Sequence, residues 1–207
     1  EDIIREVYGV EVEVRKHPIT GSLYVVPLST MKSRRAAKTK MRVHVICGGG
    51  TGTPVLRKLV MEGFEVSVGV VSVLDSDYEA ARALGVKVIA EAPFSPISDE
   101  AYIRNLEAAT EADLIVVTDA PYGRGNLRNL EVALRAASQG IKVGLLIDYK
   151  SFPSTRDFTG GEATKLLRES LKYNNVFVAN TVEDLMRGVN LKGERAEPRL
   201  TSEASRL

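Results

Sequence analysis

The sequence predicts an α/β fold: a doubly wound, mostly parallel, Rossmann-like sheet preceded by a small N-terminal β-hairpin. Three observations predict it. From Met41 onward, short apolar runs alternate with amphipathic stretches, the pattern of successive βα units. The run Val66 to Val73 is nearly all apolar, as a strand covered on both faces must be. The first strand-to-helix junction is a glycine-rich turn, Cys47-Gly48-Gly49-Gly50-Thr51-Gly52-Thr53-Pro54.

The elements follow in order. Asp2 to Tyr8 is helix-like, with Ile3, Ile4 and Val7 at helical spacing. Val10 to Arg15 alternates strictly, Pro18 and Gly21 punctuate, and Leu23 to Val26 resumes in extended form, which predicts a hairpin. Residues 31–40 carry five basic and no acidic side chains and read as a solvated linker. Arg42 to Cys47 is the first strand of the sheet. Pro54 to Glu62 is a helix with Thr53 as its expected N-cap and Pro54 at its first position. Val66 to Val73, Val86 to Ala90, Leu114 to Thr118, Ile141 to Ile147 and Val176 to Ala179 supply the other strands. Tyr78 to Leu84, a helix capped by Ser98 that runs to about Thr110, Leu127 to Ser138 and Glu162 to Lys172 supply the helices between them. Thr181 caps a last turn, with Asp184 three residues on. The polar tail from Gly188 is expected to be disordered. The domains expected are thus residues 1–30, a linker at 31–40, a Rossmann-like domain at 41–187 and a tail at 188–207.

Composition narrows the function classes. The 207 residues suffice for one ordinary domain with appendages. With 28 basic and 27 acidic residues, no whole-chain field steers the protein toward nucleic acid. No apolar run approaches the ~20 residues of a membrane span, and no signal peptide is visible. The single cysteine excludes an internal disulfide and suits a reducing compartment, so a cytoplasmic location is expected. His17 and His44 are isolated, and no zinc-ligand spacing or other metal motif exists. Cys47 ends a strand and reads as a core thiol. The chain opens at Glu1 inside a helix-like stretch, as a fragment of a longer protein would.

Ligands of such a sheet bind beyond the carboxyl ends of its strands, where the strand order reverses. Two loops reach that edge. In the first, Gly48, Gly49, Gly50, Thr51, Gly52 and Thr53 precede a helix N-terminus that presents free N–H groups and the positive end of a dipole. The second, Asp119 to Asn126, combines glycines with Tyr122, Arg124 and a helix start at Asn126. Together they suit a phosphate-bearing ligand such as a nucleotide, ATP/ADP or NAD(P). The dinucleotide spacing Gly-x-Gly-x-x-Gly is not met, and a glycine turn kept for tight packing stays open as the alternative. Asp75 and Asp77, just past the second strand, are candidates to hold a ribose or to serve as turn and helix-cap residues. Asp119 and Asp148 close strands, where a carboxylate can accept a proton, hold Mg²⁺ or simply face solvent. Phe158-Thr159-Gly160-Gly161-Glu162 reads as a Gly-rich helix start. No Gly-x-x-x-x-Gly-Lys-Ser/Thr motif occurs, so these residues contain no P-loop.

The N-terminal residues carry a family pattern. Val7-Tyr8-Gly9-Val10-Glu11-Val12, His17-Pro18-Ile19-Thr20-Gly21 and Val26-Pro27 resemble the extreme C-terminus of ABC importer ATPases for iron-siderophore, haem and cobalamin uptake. Glu91 to Ser98 and Gly125 to Glu131 resemble, more loosely, an extra C-terminal domain of some members. The resemblance implies a parent subunit that hydrolyses ATP while docked to a membrane permease at the inner face of the membrane, and a homodimer. It transfers no catalytic residue, since the Walker, signature and switch motifs are absent from these 207 residues. Three functions follow as expectations: a non-catalytic regulatory domain that senses a phosphorylated or nucleotide-like ligand; a nicotinamide-dependent oxidoreductase or small transferase using Asp119 or Tyr122 as acid or base; or a docking domain without ligand.

Overall fold

A computed structural model describes residues 11–16, 19–28 and 41–190. The expected helix at 2–8, the linker at 31–40, His17-Pro18 and the tail beyond Asn190 lie outside the described residues. Strands β1 (Glu11–Lys16) and β2 (Leu23–Leu28) pair antiparallel, the predicted hairpin.

The alternation from Met41 builds β3 (Arg42–Ile46), α1 (Thr53–Met61), β4 (Glu65–Ser72), α2 (Ser76–Ala83), β5 (Lys87–Glu91), α3 (Asp99–Thr110) and β6 (Leu114–Thr118). It continues through α4 (Arg128–Ser138), β7 (Lys142–Leu146), α5 (Phe152–Thr155), α6 (Glu162–Ser170), β8 (Val176–Ala179) and α7 (Val182–Asn190). The short α5 has no counterpart in the sequence reading. The six strands from β3 to β8 form one sheet in the order β5-β4-β3-β6-β7-β8, every neighbouring pair parallel. That is the strand order of dinucleotide-binding folds, and it reverses between β3 and β6. The fold is therefore α/β and Rossmann-like, as predicted.

Alternating side chains send the strands' apolar residues to two large cores, and Val70 and Ile89 join a smaller third cluster with Ile97 and Ala101. On one face, Val43 and Val45 of β3 and Cys47 just after it pack with Val55, Leu56 and Leu59 of α1, Ala81 of α2 and Leu185 of α7. On the other, Ile46, Ile115 and Val117 pack with Leu130, Val132, Ala133, Ala136 and Ala137 of α4 and Leu167 of α6. The end of the chain corrects one expectation. The predicted last turn is a nine-residue helix that takes in residues 188–190. Thr181 does cap it, receiving the Asp184 amide at 3.1 Å. The fully buried Leu185 anchors the helix to the sheet, and Gly188 lies so close to the Phe177 ring that a Cβ would stand 2.6 Å from it.

One strand is irregular. Between Val68 and Val71 the register of β4 against β5 slips by an inserted residue, a β-bulge. A bulge leaves ladder groups unpaired, and a side chain replaces the missing strand here. The Asn129 amide of α4 accepts from the Val70 N–H at 3.0 Å and donates to the Val70 C=O at 2.9 Å. Asn105 of α3 donates to the same Asn129 oxygen at 2.9 Å, and its own oxygen meets His44 Nε2 at 2.8 Å. His44 Nδ1 then meets Ser67 Oγ at 2.8 Å. Burial pulls the His44 imidazole down to about 4, against a smaller opposing pull from Asn105, so it is neutral at physiological pH.

Candidate ligand crevice

The glycine turn follows β3 at the switch point. Gly49 and Gly50 have φ of 64° and 80°, the left-handed region that only glycine enters freely, so the turn needs these residues for its shape. Thr51 ties the turn to β6: its hydroxyl donates to Gly48 C=O at 2.8 Å and shares a 2.6 Å hydrogen bond with Thr118.

The donors assigned to a phosphate are turned inward. Gly49 N–H donates to Asp75 Oδ2 at 2.8 Å. Gly52 N–H donates to Asp77 Oδ2 at 3.0 Å, and the Thr53 N–H and hydroxyl both donate to Asp77 Oδ1 at 2.8 Å. The N-cap of α1 is Gly52, whose residue type offers no side-chain cap, and not Thr53 as expected. A carboxylate from the next helix does the capping instead. Thr53, already in the helix, turns its hydroxyl to that same carboxylate. Asp75 also accepts the Asp77 N–H at 2.9 Å and so caps α2. Both acids cap helices, and Asp75 also lines the cavity beside the glycine turn. Asp77 is wholly buried and corrects the expectation that it faces a ribose. The Cys47 thiol lies against Asp77, and burial first, then the two acids, push it well up, so it stays protonated and inert.

The second loop differs from expectation in three places. Tyr122 is buried, its N–H donates to Arg156 C=O at 2.7 Å, and its ring meets Phe152 at 5.9 Å. Burial pushes its hydroxyl far up, so Tyr122 is neither a ligand contact nor an acid–base group. Asn126 starts no helix. Its side chain accepts from Gly123 N–H at 2.8 Å and donates to Pro121 C=O at 3.0 Å, shaping its own loop, while α4 begins two residues later. Asp119 pairs with Arg156 at 3.0 Å through Oδ2, and its buried Oδ1 has no partner among the described residues. Arg124 is exposed on the rim. Asp148 turns back onto Ser151 and Lys150. The Gly-rich start of α6 repeats the device of the first loop. Asp157 accepts from the amides and hydroxyls of Thr159 and Thr164. Burial works to raise its pKa, yet these hydrogen bonds together hold it well below the carboxylate range.

A cavity of about 370 Å³ opens beside the glycine turn, over the carboxyl ends of β3, β4 and β5. Gly48, Ser72, Asp75, Gly125 and Asn126 line it, and so do Glu91, Phe94 and Ile97, which the sequence reading of the site missed. Glu91 accepts the Ser98 and Ala92 amides at 3.0 and 3.1 Å, and the hydrogen bonding to Ser98, chiefly, lowers its pKa. Phe94 is fully exposed and has φ 59°, a backbone state that bulky residues rarely hold. No spacing motif announces these residues. A polar Glu closing an apolar strand and a Phe between two prolines are the only signals they leave. Among the described residues no group of acidic, His and Cys side chains has the makings of a metal site.

The sequence profile of the MJ0874 family matches residues 66–186, more than half of the chain. This chain belongs to the MJ0874 family. The match to the MJ0874 family takes in Asp75, Glu91, Phe94 and the second loop but starts after the glycine turn. The uncharacterized protein MJ0874 of Methanocaldococcus jannaschii is 40% identical over 58 residues, 28% of this chain and 62% of that protein. Proteins named cobalamin import ATP-binding protein BtuD, from two Halobacterium salinarum strains, are 38% identical over 130 residues, 62% of this chain. The MJ0874-family chain thus matches only 32% of the length of those BtuD relatives. Among solved structures, a short-chain dehydrogenase/reductase of Serratia marcescens superposes with TM-score 0.40 at 17% identity, covering 68% of this chain and 73% of that one. Shikimate dehydrogenase of Aquifex aeolicus gives 0.36 at 18%, covering 92% and 70%. No described helix is long and apolar enough to cross a membrane.

Proposed function

We propose that this chain is the C-terminal accessory region of an ABC importer ATP-binding subunit, and that its Rossmann-like domain senses a nucleoside-like ligand and biases the attached ATPase. The ligand half rests on the cavity of about 370 Å³, which lies at the switch point and falls in the usual size range of small-molecule sites. In this reading Asp75 and Glu91 accept hydroxyls of the ribose. Phe94 covers the base, and the backbone of Gly48 forms the wall toward the sugar's 5′ end, with Asn126 across from it; Gly49, Gly50 and Arg124 lie outside the lining.

The importer half rests on the 38% identity to the BtuD proteins and on the N-terminal resemblance to ABC importer ATPases. It implies an ATPase core and a permease as partners, a homodimer, and a place at the cytoplasmic face of the membrane. Cobalamin, haem and iron-siderophore are the transported classes it suggests.

The test is thermal unfolding of this chain with adenosine, S-adenosylmethionine, ADP, ATP, NAD(H), NADP(H) and cobalamin. A ligand at a hundred times its dissociation constant stabilises by about 2.7 kcal/mol. At ~2–4 °C per kcal/mol, the melting temperature rises by roughly 5–10 °C. Were every compound to leave the transition unmoved, the sensing half would fall. The importer half is tested in the subunit that carries this region, where the ligand that shifts the melt should change the rate of ATP hydrolysis.

A further inference from the structure

We infer that the crevice takes an unphosphorylated nucleoside, neutral or cationic at its 5′ end, and rejects its phosphorylated counterpart. This deepens the sensing reading above and rests on it. In folds with this strand order the phosphate lies at the N-terminus of the first helix, where free amides and the dipole hold it. Most of those amides, and the dipole, are already engaged here. Of the five amides of residues 49–53, those of Gly49, Gly52 and Thr53 donate to Asp75 or Asp77 and that of Thr51 turns to Gly48 C=O at 3.4 Å, which leaves the Gly50 amide to face a ligand. Pro54 has no N–H to give. The buried Asp77 carboxylate sits where an anion would sit and offsets the positive end of α1.

The rest of the cavity agrees in sign. Its lining includes Asp75 and Glu91 and no lysine or arginine. A phosphate against the turn would meet like charges on two sides and too few donors. A hydroxyl, an amine or a sulfonium-type cation would meet acceptors. The apolar side of the cavity, with Val70, Pro96, Ile97 and Phe94, suits a flat base.

Calorimetric titration of the full chain with adenosine, S-adenosylmethionine, AMP and ADP decides it. Adenosine or S-adenosylmethionine should bind at least about ten-fold more tightly than AMP. Raising the salt concentration should narrow that gap by screening the repulsion. In Asp77→Asn, AMP should gain on adenosine by about ten-fold. Should that variant fail to fold, Glu91→Gln, which removes a negative charge from the exposed cavity wall, should narrow the gap in the same direction. AMP or ADP binding as tightly as adenosine, or an adenosine–AMP gap indifferent to salt and to both substitutions, would overturn the inference and leave the sensing reading standing. No binding by any of the four would overturn both.

Discussion

Two buried polar clusters lie on opposite faces of the same sheet and solve burial in opposite ways. At the carboxyl end of β3, Asp77 is wholly buried and accepts two main-chain amides and a hydroxyl. In mid-sheet, His44, Asn105 and Asn129 are buried in a chain of neutral hydrogen bonds that ends on the Val70 peptide. A carboxylate survives burial where a helix end supplies donors and a dipole of the right sign. An imidazole among amides finds no such compensation, and it is kept neutral. The first cluster should therefore answer to changes of charge, and the second to changes of volume and to acid.

The largest effect is expected from Gly69→Ala. A Cβ there would overlap Asn105 Oδ1 and stand 2.6 Å from His44 Nε2, with a strand on either side preventing retreat. Overpacking together with broken buried hydrogen bonds should cost about 3–5 kcal/mol, read as a fall in the urea midpoint at constant slope. A loss below about 1 kcal/mol would show that the network tolerates rearrangement.

Acid should separate the clusters next. The folded His44 pKa of about 4 lies below its ordinary 6.5, so between those values the unfolded chain binds a proton that the native state refuses. Stability from this group is complete above pH 6.5 and is lost as pH falls toward 4, by on the order of 3 kcal/mol. Subtracting the profile of His44→Gln from that of the parent isolates it from the carboxylates. A flat difference between pH 7 and 4 would contradict the buried neutral imidazole.

Smaller again is Asp77→Asn. It keeps one acceptor oxygen but removes the charge and turns an amide NH₂ toward donors, which should cost about 2 kcal/mol. The melting temperature should drop by roughly 4–8 °C at ~2–4 °C per kcal/mol. An unchanged melt would mean that the helix-end compensation is worth nothing here.

The smallest effect has the opposite sign. Phe94→Gly relieves a left-handed backbone at a fully exposed position and should stabilise the chain by up to about 1 kcal/mol, while weakening ligand binding at the crevice. A loss of stability would make Phe94 a structural residue after all.

Legibility in the sequence follows the range of the forces involved. Leu114 to Thr118 and Val176 to Ala179 are strands at the residues predicted, and Ser98 caps its helix as predicted, receiving the Ala101 amide at 3.2 Å. Apolar runs and capping side chains act within a few residues of themselves, so they can be read along the chain. The site is another matter. The glycine turn announced a place at the sheet edge, yet what faces its amides comes from residues 75 and 77, a helix, a strand and a turn further along the chain. Tyr122 looked available because it neighbours glycines; the segment Arg156 to Phe158 covers it, pairing with its N–H and C=O.

The sequence by itself determined the α/β alternation, the glycine turn and which face of each helix is apolar, because periodicity and local sterics decide these. Only the tertiary structure decided the strand order, the bulge that calls Asn129 into the sheet, and the sign of charge in the crevice. Those depend on side chains 24 to 61 residues apart meeting in space, and no pattern along the chain encodes which donor an acid will find.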